Sequence, residues 1–84
     1  MAVSSLTLDQ LMKDQTAEVI ELAVTGAERR RLMDLGILPG TRIEVEMRSP
    51  LGDPTAYRVR GSVIALRRRQ AQNIVIRLLP NKEE

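Results

Sequence analysis

The sequence predicts a mainly β domain, a small barrel of five short strands with one or two short helices near its N-terminus. The chain has 84 residues, enough for one hydrophobic core but not for a core plus a large buried active-site cavity. Apolar and polar residues alternate in residues 42–48 and 55–60, as in half-buried strands. An open flat sheet of such strands would leave edges and apolar residues exposed, so closure into a barrel is favoured.

The N-terminal third predicts two short helices around the first strand. Residues 7–10, Thr-Leu-Asp-Gln, have the pattern of a capping box, which predicts a helix over residues 8–13. Residues 17–24 are rich in β-branched and aliphatic side chains and are predicted to form the first strand. Residues 25–28 repeat the capping pattern, so a second helix is expected from there to about residue 35.

The end of the second helix is marked by glycine and proline. Gly36 is suited to the left-handed position after a helix, which would bring Ile37 against Leu32 in a Schellman motif. Pro39 and Gly40 then occupy the two central positions of a predicted type II turn. These glycines and this proline are therefore expected to have structural roles.

The clearest strand pattern covers residues 42–48, where polar and apolar side chains alternate without interruption. Ile43, Val45 and Met47 are predicted to face the core. Two prolines and one glycine fall within residues 49–54, so this segment is predicted to be a loop that joins two strands of a hairpin.

The C-terminal half completes the predicted barrel. Gly61 interrupts the alternation and is expected to be a structural turn residue. A turn or single helical turn is predicted at residues 68–72. The remaining strands are predicted at residues 55–60, 62–67 and 73–79.

An SH3-like barrel fits these short connections best, and an OB-type barrel is the alternative. The whole chain, residues 1–84, is expected to be one domain. Its core would span about residues 6–79, and residues 80–84 would form a flexible tail.

The composition excludes several classes of function. The chain contains no Cys and no His, so it cannot build a disulfide, a thiolate nucleophile, an imidazole base or a Cys/His zinc site. An enzyme is therefore the least supported interpretation. The longest aliphatic run, residues 63–66, is far shorter than the ~20 residues of a membrane span. With no secretory signal pattern, we expect a cytoplasmic protein without membrane insertion.

One stretch of the sequence stands out, residues 30–41, Arg-Arg-Leu-Met-Asp-Leu-Gly-Ile-Leu-Pro-Gly-Thr. It is followed by residues 50–54, 59–61 and 64–67, and then by Ala71, Ile74 and Val75. In this order and at this spacing, the segments resemble the FeoA family, small cytoplasmic proteins encoded with the bacterial ferrous iron permease FeoB. One departure is that Asp14 and Gln15 stand where family members usually have a glycine after the first helix.

The resemblance implies an SH3-like β-barrel and an accessory, non-enzymatic role in ferrous iron uptake. It also implies contact with the cytosolic GTP-binding region of FeoB. The same fold forms the C-terminal domain of DtxR-type metal-dependent repressors, so a metal-responsive module is an alternative interpretation.

Two segments are candidates for a partner-binding surface. The first is the predicted loop of residues 49–54, which is long for a hairpin connection and has an apolar residue at its tip. Loops often carry binding residues. Six arginines and no acid fall between residues 58 and 77, and guanidinium groups suit carboxylate or phosphate recognition. A plain hairpin loop and a solvated basic face that meets the acidic first strand remain alternatives. The candidates are Leu51, Gly52, Asp53 and Pro54 in the loop, and Arg67, Arg68 and Arg69 in the basic cluster.

Three other possibilities remain open. Glu44 and Glu46 lie two residues apart on one strand and are weak candidates for a divalent metal site, because ferrous iron is normally also given imidazole or thiolate ligands. A nucleic-acid-binding barrel is disfavoured because the single aromatic residue, Tyr57, lies on the predicted inward face, whereas single-strand binding relies on base stacking. Edge strands would allow homo-oligomers.

Overall fold

The computed structural model describes residues 6–80 and is mainly β. The part of the predicted tail from residue 81 onward lies outside the described residues. A 3-10 turn covers Leu8–Gln10, and two helices follow later in the chain, α1 at Gly26–Asp34 and α2 at Arg68–Ala71. The strands are β1 (Leu6–Thr7), β2 (Thr16–Leu22), β3 (Arg42–Arg48), β4 (Thr55–Val59), β5 (Ser62–Leu66) and β6 (Ile74–Leu79).

All six strands belong to one antiparallel sheet in the order β1-β6-β2-β3-β4-β5. The sequence predicts five strands, and this count is corrected to six within residues 6–80. The additional strand is β1, in which Leu6 lies opposite Ile76 and Thr7 opposite Val75. A strand of two residues is too short for alternation of apolar and polar side chains to be detected in the sequence.

The first predicted helix is also corrected, since the structure has only the three-residue 3-10 turn there. The Thr7 N–H donates to Gln10 Oε1 at 2.9 Å, which begins the turn. Leu11 has an extended backbone and ends it. Leu8 and Leu11 are both fully buried, so this short turn and the residue after it contribute two side chains to the core.

The C-terminus of α1 forms the predicted Schellman arrangement. The Ile37 N–H donates to the Leu32 carbonyl at 3.1 Å, and the Gly36 N–H donates to the Met33 carbonyl at 2.9 Å. Gly36 has φ +96°, a conformation that glycine adopts without steric cost. Leu32 and Ile37 are fully buried, so the helix end is part of the core.

A turn over residues 38–41 connects α1 to β3 and is fastened to β2. The Thr41 N–H donates to the Leu38 carbonyl at 2.9 Å, and Gly40 has φ +92°, as in a type II turn. The Gly40 N–H also donates to the Val19 carbonyl at 2.7 Å, and the Val19 N–H donates to the Thr41 carbonyl at 2.8 Å.

Strand β3 has the predicted bounds, but a β-bulge reverses the side-chain direction of Met47, the last residue predicted to face the core. Val45 lies opposite Tyr57, whereas Met47 already lies opposite Ala56, so Glu46 is an extra residue on β3. Met47 therefore turns outward and is 60% exposed, which makes its predicted core position wrong. Arg48 then takes the next register position, and its guanidinium donates to the Leu11 carbonyl.

Strands β4 and β5 are joined by a two-residue hairpin turn. Arg60 and Gly61 have φ +51° and +83°, and Val59 lies opposite Ser62. Positive φ at both central residues is the requirement of a type I′ turn. The hairpin places Thr55 opposite Leu66, so the loop before β4 and the segment after β5 lie at the same end of the sheet.

Tyr57 is the largest side chain in the core, and 1% of it is exposed. Its hydroxyl donates to the Leu8 carbonyl at 3.5 Å, between β4 and the 3-10 turn. Burial raises the pKa of the Tyr57 phenol above its ordinary value of 10.0, and the nearby Arg48 guanidinium partly opposes that rise.

We expect alkaline pH to destabilise the domain through Tyr57. The folded state favours the neutral phenol, so this contribution to stability is complete below about pH 10 and is lost as the pH rises through the higher folded pKa. Urea unfolding across this range measures the effect. Phenolate absorbance is a second readout and reports Tyr57 alone, because Tyr57 is the only aromatic residue. Tyr57→Phe is the control and should lack the Tyr57 component. An identical pH dependence in both proteins contradicts the prediction.

Candidate functional site

The loop of residues 49–54 is closed by two backbone hydrogen bonds. The Gly52 N–H donates to the Ser49 carbonyl at 2.8 Å, and the Ser49 N–H donates to the Pro54 carbonyl at 3.3 Å. Leu51 lies at the tip with 91% of its surface exposed. The loop therefore presents an apolar side chain to solvent on a hydrogen-bonded support.

This loop is attached directly to α2. Asp53 Oδ1 accepts a hydrogen bond from the Arg68 backbone N–H at 2.8 Å. A side chain added at Gly52 would lie 3.7 Å from the Arg68 guanidinium, so the loop backbone also passes close to this arginine. The structure thus brings the two predicted candidate segments together. The hydrogen bond between them joins residues fifteen positions apart, a contact that no local pattern reveals.

The start of α2 is ordered by its own side chains. The Arg67 backbone N–H donates to Gln70 Oε1 at 2.9 Å, and the Arg67 carbonyl accepts from the Gln70 and Ala71 N–H groups. Ala71 is fully buried, and α2 packs against the 3-10 turn. Arg67, Arg68 and Arg69 are exposed, and these contacts fix the segment that carries them.

Two open surface grooves meet at this segment. The first, the loop groove, lies between the loop and α2, and the second, the arginine groove, lies between α1 and α2. Arg67 and Arg69 line both grooves, so the two are adjacent. The loop groove is lined by Asp53, Arg67, Arg68, Arg69 and Gln72. The arginine groove is lined by Glu28, Arg31, Arg67, Arg69, Gln70 and Asn73.

Arg31 also lines the arginine groove, although it is not among the site residues predicted from the sequence. It reaches the groove because the Ala23 N–H donates to the Asn73 carbonyl at 2.7 Å, which places the start of α1 beside the end of α2. Arg30, its neighbour in sequence, lines a different groove with Met33 and Asp34. The helical rotation between adjacent residues thus separates two otherwise similar arginines.

Two other arginines of the basic segment are paired with acids inside the chain. The Arg58 guanidinium binds Glu46 on β3, and the Arg77 guanidinium binds Glu18 on β2. These contacts fit the solvated-face alternative for that part of the cluster. Within residues 6–80, Arg31, Arg67, Arg68 and Arg69 form no side-chain ion pair.

The weak metal candidates already have partners. Glu46 binds Arg58, and Glu44 Oε2 accepts a hydrogen bond from the Thr16 hydroxyl at 3.4 Å. The described part of the chain brings no three Asp or Glu side chains together in a group able to hold a metal ion. Neither glutamate has a third carboxylate beside it, so the geometry does not strengthen the metal hypothesis.

The fold and this surface define a class of protein, a small SH3-like β domain with an exposed basic groove beside an apolar loop. The family then follows from comparison with known sequences. The FeoA domain model matches residues 6–78, and the chain belongs to this family.

One curated relative is 30% identical over 74 residues, a match that covers 88% of this chain. It is the Fe(2+) transport protein A/Fe(2+) transporter FeoB fusion protein of Porphyromonas gingivalis (strain ATCC BAA-308 / W83). The chain spans only 9% of that protein's length.

Solved structures of the family have the same fold. The FeoA protein of Chlorobium tepidum is 37% identical with a TM-score of 0.83, over 93% of this chain and 74% of that one. FeoA of Stenotrophomonas maltophilia, described as an SH3 domain protein and solved with zinc, is 28% identical with a TM-score of 0.76, over 86% and 89% of the two chains. The predicted SH3-like architecture is therefore confirmed.

The fold is also found as part of a longer chain. IdeR of T. acidophilum is 23% identical with a TM-score of 0.75, over 90% of this chain and 35% of that one. At this identity the likeness concerns the fold alone. Among the described residues, no helix has the length and apolar character needed to cross a membrane.

Proposed function

We propose that this protein is a non-enzymatic accessory protein of bacterial ferrous iron uptake that binds the cytosolic GTP-binding region of a FeoB-type permease in the cytoplasm. The observation that carries the proposal is the P. gingivalis relative, in which a FeoA-type sequence and FeoB are parts of one chain. Fusion makes the contact between two domains intramolecular and raises their effective concentration. For a separate FeoA chain, the corresponding contact is made between two proteins.

The surface described above supports a role in binding. Leu51 supplies exposed apolar area, and the neighbouring arginines supply charge that has no partner within residues 6–80. Interfaces commonly combine an apolar anchor with arginine contacts. Leu51, Gly52, Asp53, Pro54, Arg67, Arg68 and Arg69 are the proposed contact residues.

The test is an NMR titration of the isotope-labelled protein with the purified cytosolic GTP-binding region of FeoB. We expect saturable shifts concentrated at residues 49–54 and 67–69. Parallel titrations with single-stranded DNA and with ferrous iron test the nucleic-acid and metal-responsive alternatives. Absence of shifts with the GTP-binding region, together with saturable shifts with DNA or iron, overturns the proposal and supports the corresponding alternative.

A further inference from the structure

The chain has two runs of three arginines, and the fold brings one residue of the first run to the second. Arg31, from the run 29–31 on α1, lines the arginine groove together with Arg67 and Arg69 from the run 67–69. The two runs are more than thirty residues apart in sequence, and the Ala23–Asn73 backbone hydrogen bond holds the segments that carry them together. Convergence of the runs is therefore a property of the fold.

The groove has a surplus of positive charge. Its lining contains three guanidinium groups and one carboxylate, that of Glu28. All three arginines are exposed, and none forms an ion pair within residues 6–80. Like charges that face one groove repel each other, so carboxylates or phosphates placed between them are favoured.

The shape and surroundings of the groove favour an acidic protein segment over a small anion. An isolated anion gains little from exposed arginines because water and salt screen the interaction. A segment with several carboxylates engages more than one guanidinium fork at once. The loop groove shares Arg67 and Arg69 with the arginine groove and lies beside the loop that presents Leu51, so a segment that extends past these arginines has an apolar contact available.

The same surroundings disfavour a nucleic acid. Sequence-tolerant binding of single strands depends on aromatic side chains that stack with bases. Tyr57 is the only aromatic residue and is buried.

We propose that the arginine groove receives an acidic segment of the partner protein, with partner carboxylates bound to Arg31, Arg67 and Arg69. This inference rests on the proposed function, since it specifies the chemistry of the FeoB segment that is bound. It adds α1 to a contact surface otherwise made of the loop and α2.

The test compares two adjacent arginines of α1. Arg31→Glu and Arg30→Glu change the net charge equally and are both at exposed positions, but only Arg31 lines the groove. We expect Arg31→Glu to weaken binding to the FeoB GTP-binding region by about tenfold or more, and Arg30→Glu to change it by less than about twofold, because only the first places a charge of the wrong sign against the partner carboxylates. Circular dichroism verifies that both variants fold.

Salt dependence and a simple probe complete the experiment. The wild-type Kd should rise with salt more steeply than that of Arg31→Glu. A short polyglutamate peptide, added to the full chain at low salt, should shift the guanidinium NMR signals of Arg31, Arg67 and Arg69.

The outcomes separate this inference from the proposed function. If the partner binds and the two variants bind equally well, the groove inference is wrong and the proposed function stands. If the partner does not bind at all, the proposed function fails. The polyglutamate titration then shows by itself whether the arginine groove binds carboxylates. Single-stranded DNA that binds more tightly than the peptide, with the same dependence on Arg31, overturns the assignment to an acidic protein segment.

Discussion

Tyr57→Ala is expected to lower the free energy of unfolding by about 3–5 kcal/mol, the usual range for removal of a buried aromatic side chain. Tyr57 is almost completely buried at the centre of β4, opposite Val45 on one side and Ile64 on the other. Small domains have a total stability of about 5–15 kcal/mol, so this loss is a large part of the whole. Urea unfolding followed by circular dichroism measures it.

Two variants control for the hydroxyl group and for surface effects. Tyr57→Phe keeps the ring, and its hydroxyl hydrogen bond at 3.5 Å is at the long limit, so a change below about 1 kcal/mol is expected. Leu51→Ala removes an exposed side chain and should stay within about 0.5 kcal/mol of wild type. An unchanged urea midpoint for Tyr57→Ala would mean that β4 does not anchor the core.

Local patterns predicted the parts of the fold that depend on neighbouring residues. The alternation in residues 42–48 predicted β3 with its observed bounds, because side-chain direction in a strand follows directly from sequence position. The end of α1 was predictable for a similar reason, since the Schellman hydrogen bonds of Gly36 and Ile37 close within one helical turn.

The errors occurred where the sheet as a whole overrides the local pattern. Met47 was predicted to face the core, but the extra residue Glu46 turns it outward, and the bulge depends on pairing with β4. The helix predicted at residues 8–13 is only a three-residue 3-10 turn, because the backbone becomes extended at Leu11, which is buried in the core. Both differences arise from tertiary contacts, which neither the alternation of side chains nor a capping pattern can predict.

The candidate site was predictable only in pieces. Residue composition identified the loop and the arginine run 67–69, but the hydrogen bond between Asp53 and the Arg68 N–H is a long-range contact. Arg31 is not among the predicted site residues because nothing in the sequence distinguishes the three arginines of its run, whereas helical rotation points Arg30 and Arg31 into different grooves. The distinction between these arginines exists only after the fold is known.

Leu51→Asp is expected to weaken binding to the FeoB GTP-binding region by at least about tenfold, with little effect on folding. Leu51 is 91% exposed in the free protein, so its apolar surface is available for burial by the partner. Complete burial of a leucine side chain contributes about 1.5–3 kcal/mol, or roughly 10- to 150-fold in affinity. The new carboxylate would also repel an acidic segment that lies in the adjacent grooves.

Met12→Asp is the matched control, because Met12 is 60% exposed and lines neither groove. The Kd of each variant, measured by calorimetry alongside Arg31→Glu, shows whether the loop tip and the arginine groove each contribute to binding. If Leu51→Asp binds like wild type while Arg31→Glu does not, the arginine groove is sufficient and the loop serves mainly to support α2 through Asp53. If both lose affinity and Met12→Asp does not, the loop tip and the arginine groove belong to one interface, since a carboxylate at position 51 weakens binding only where the partner lies close to it.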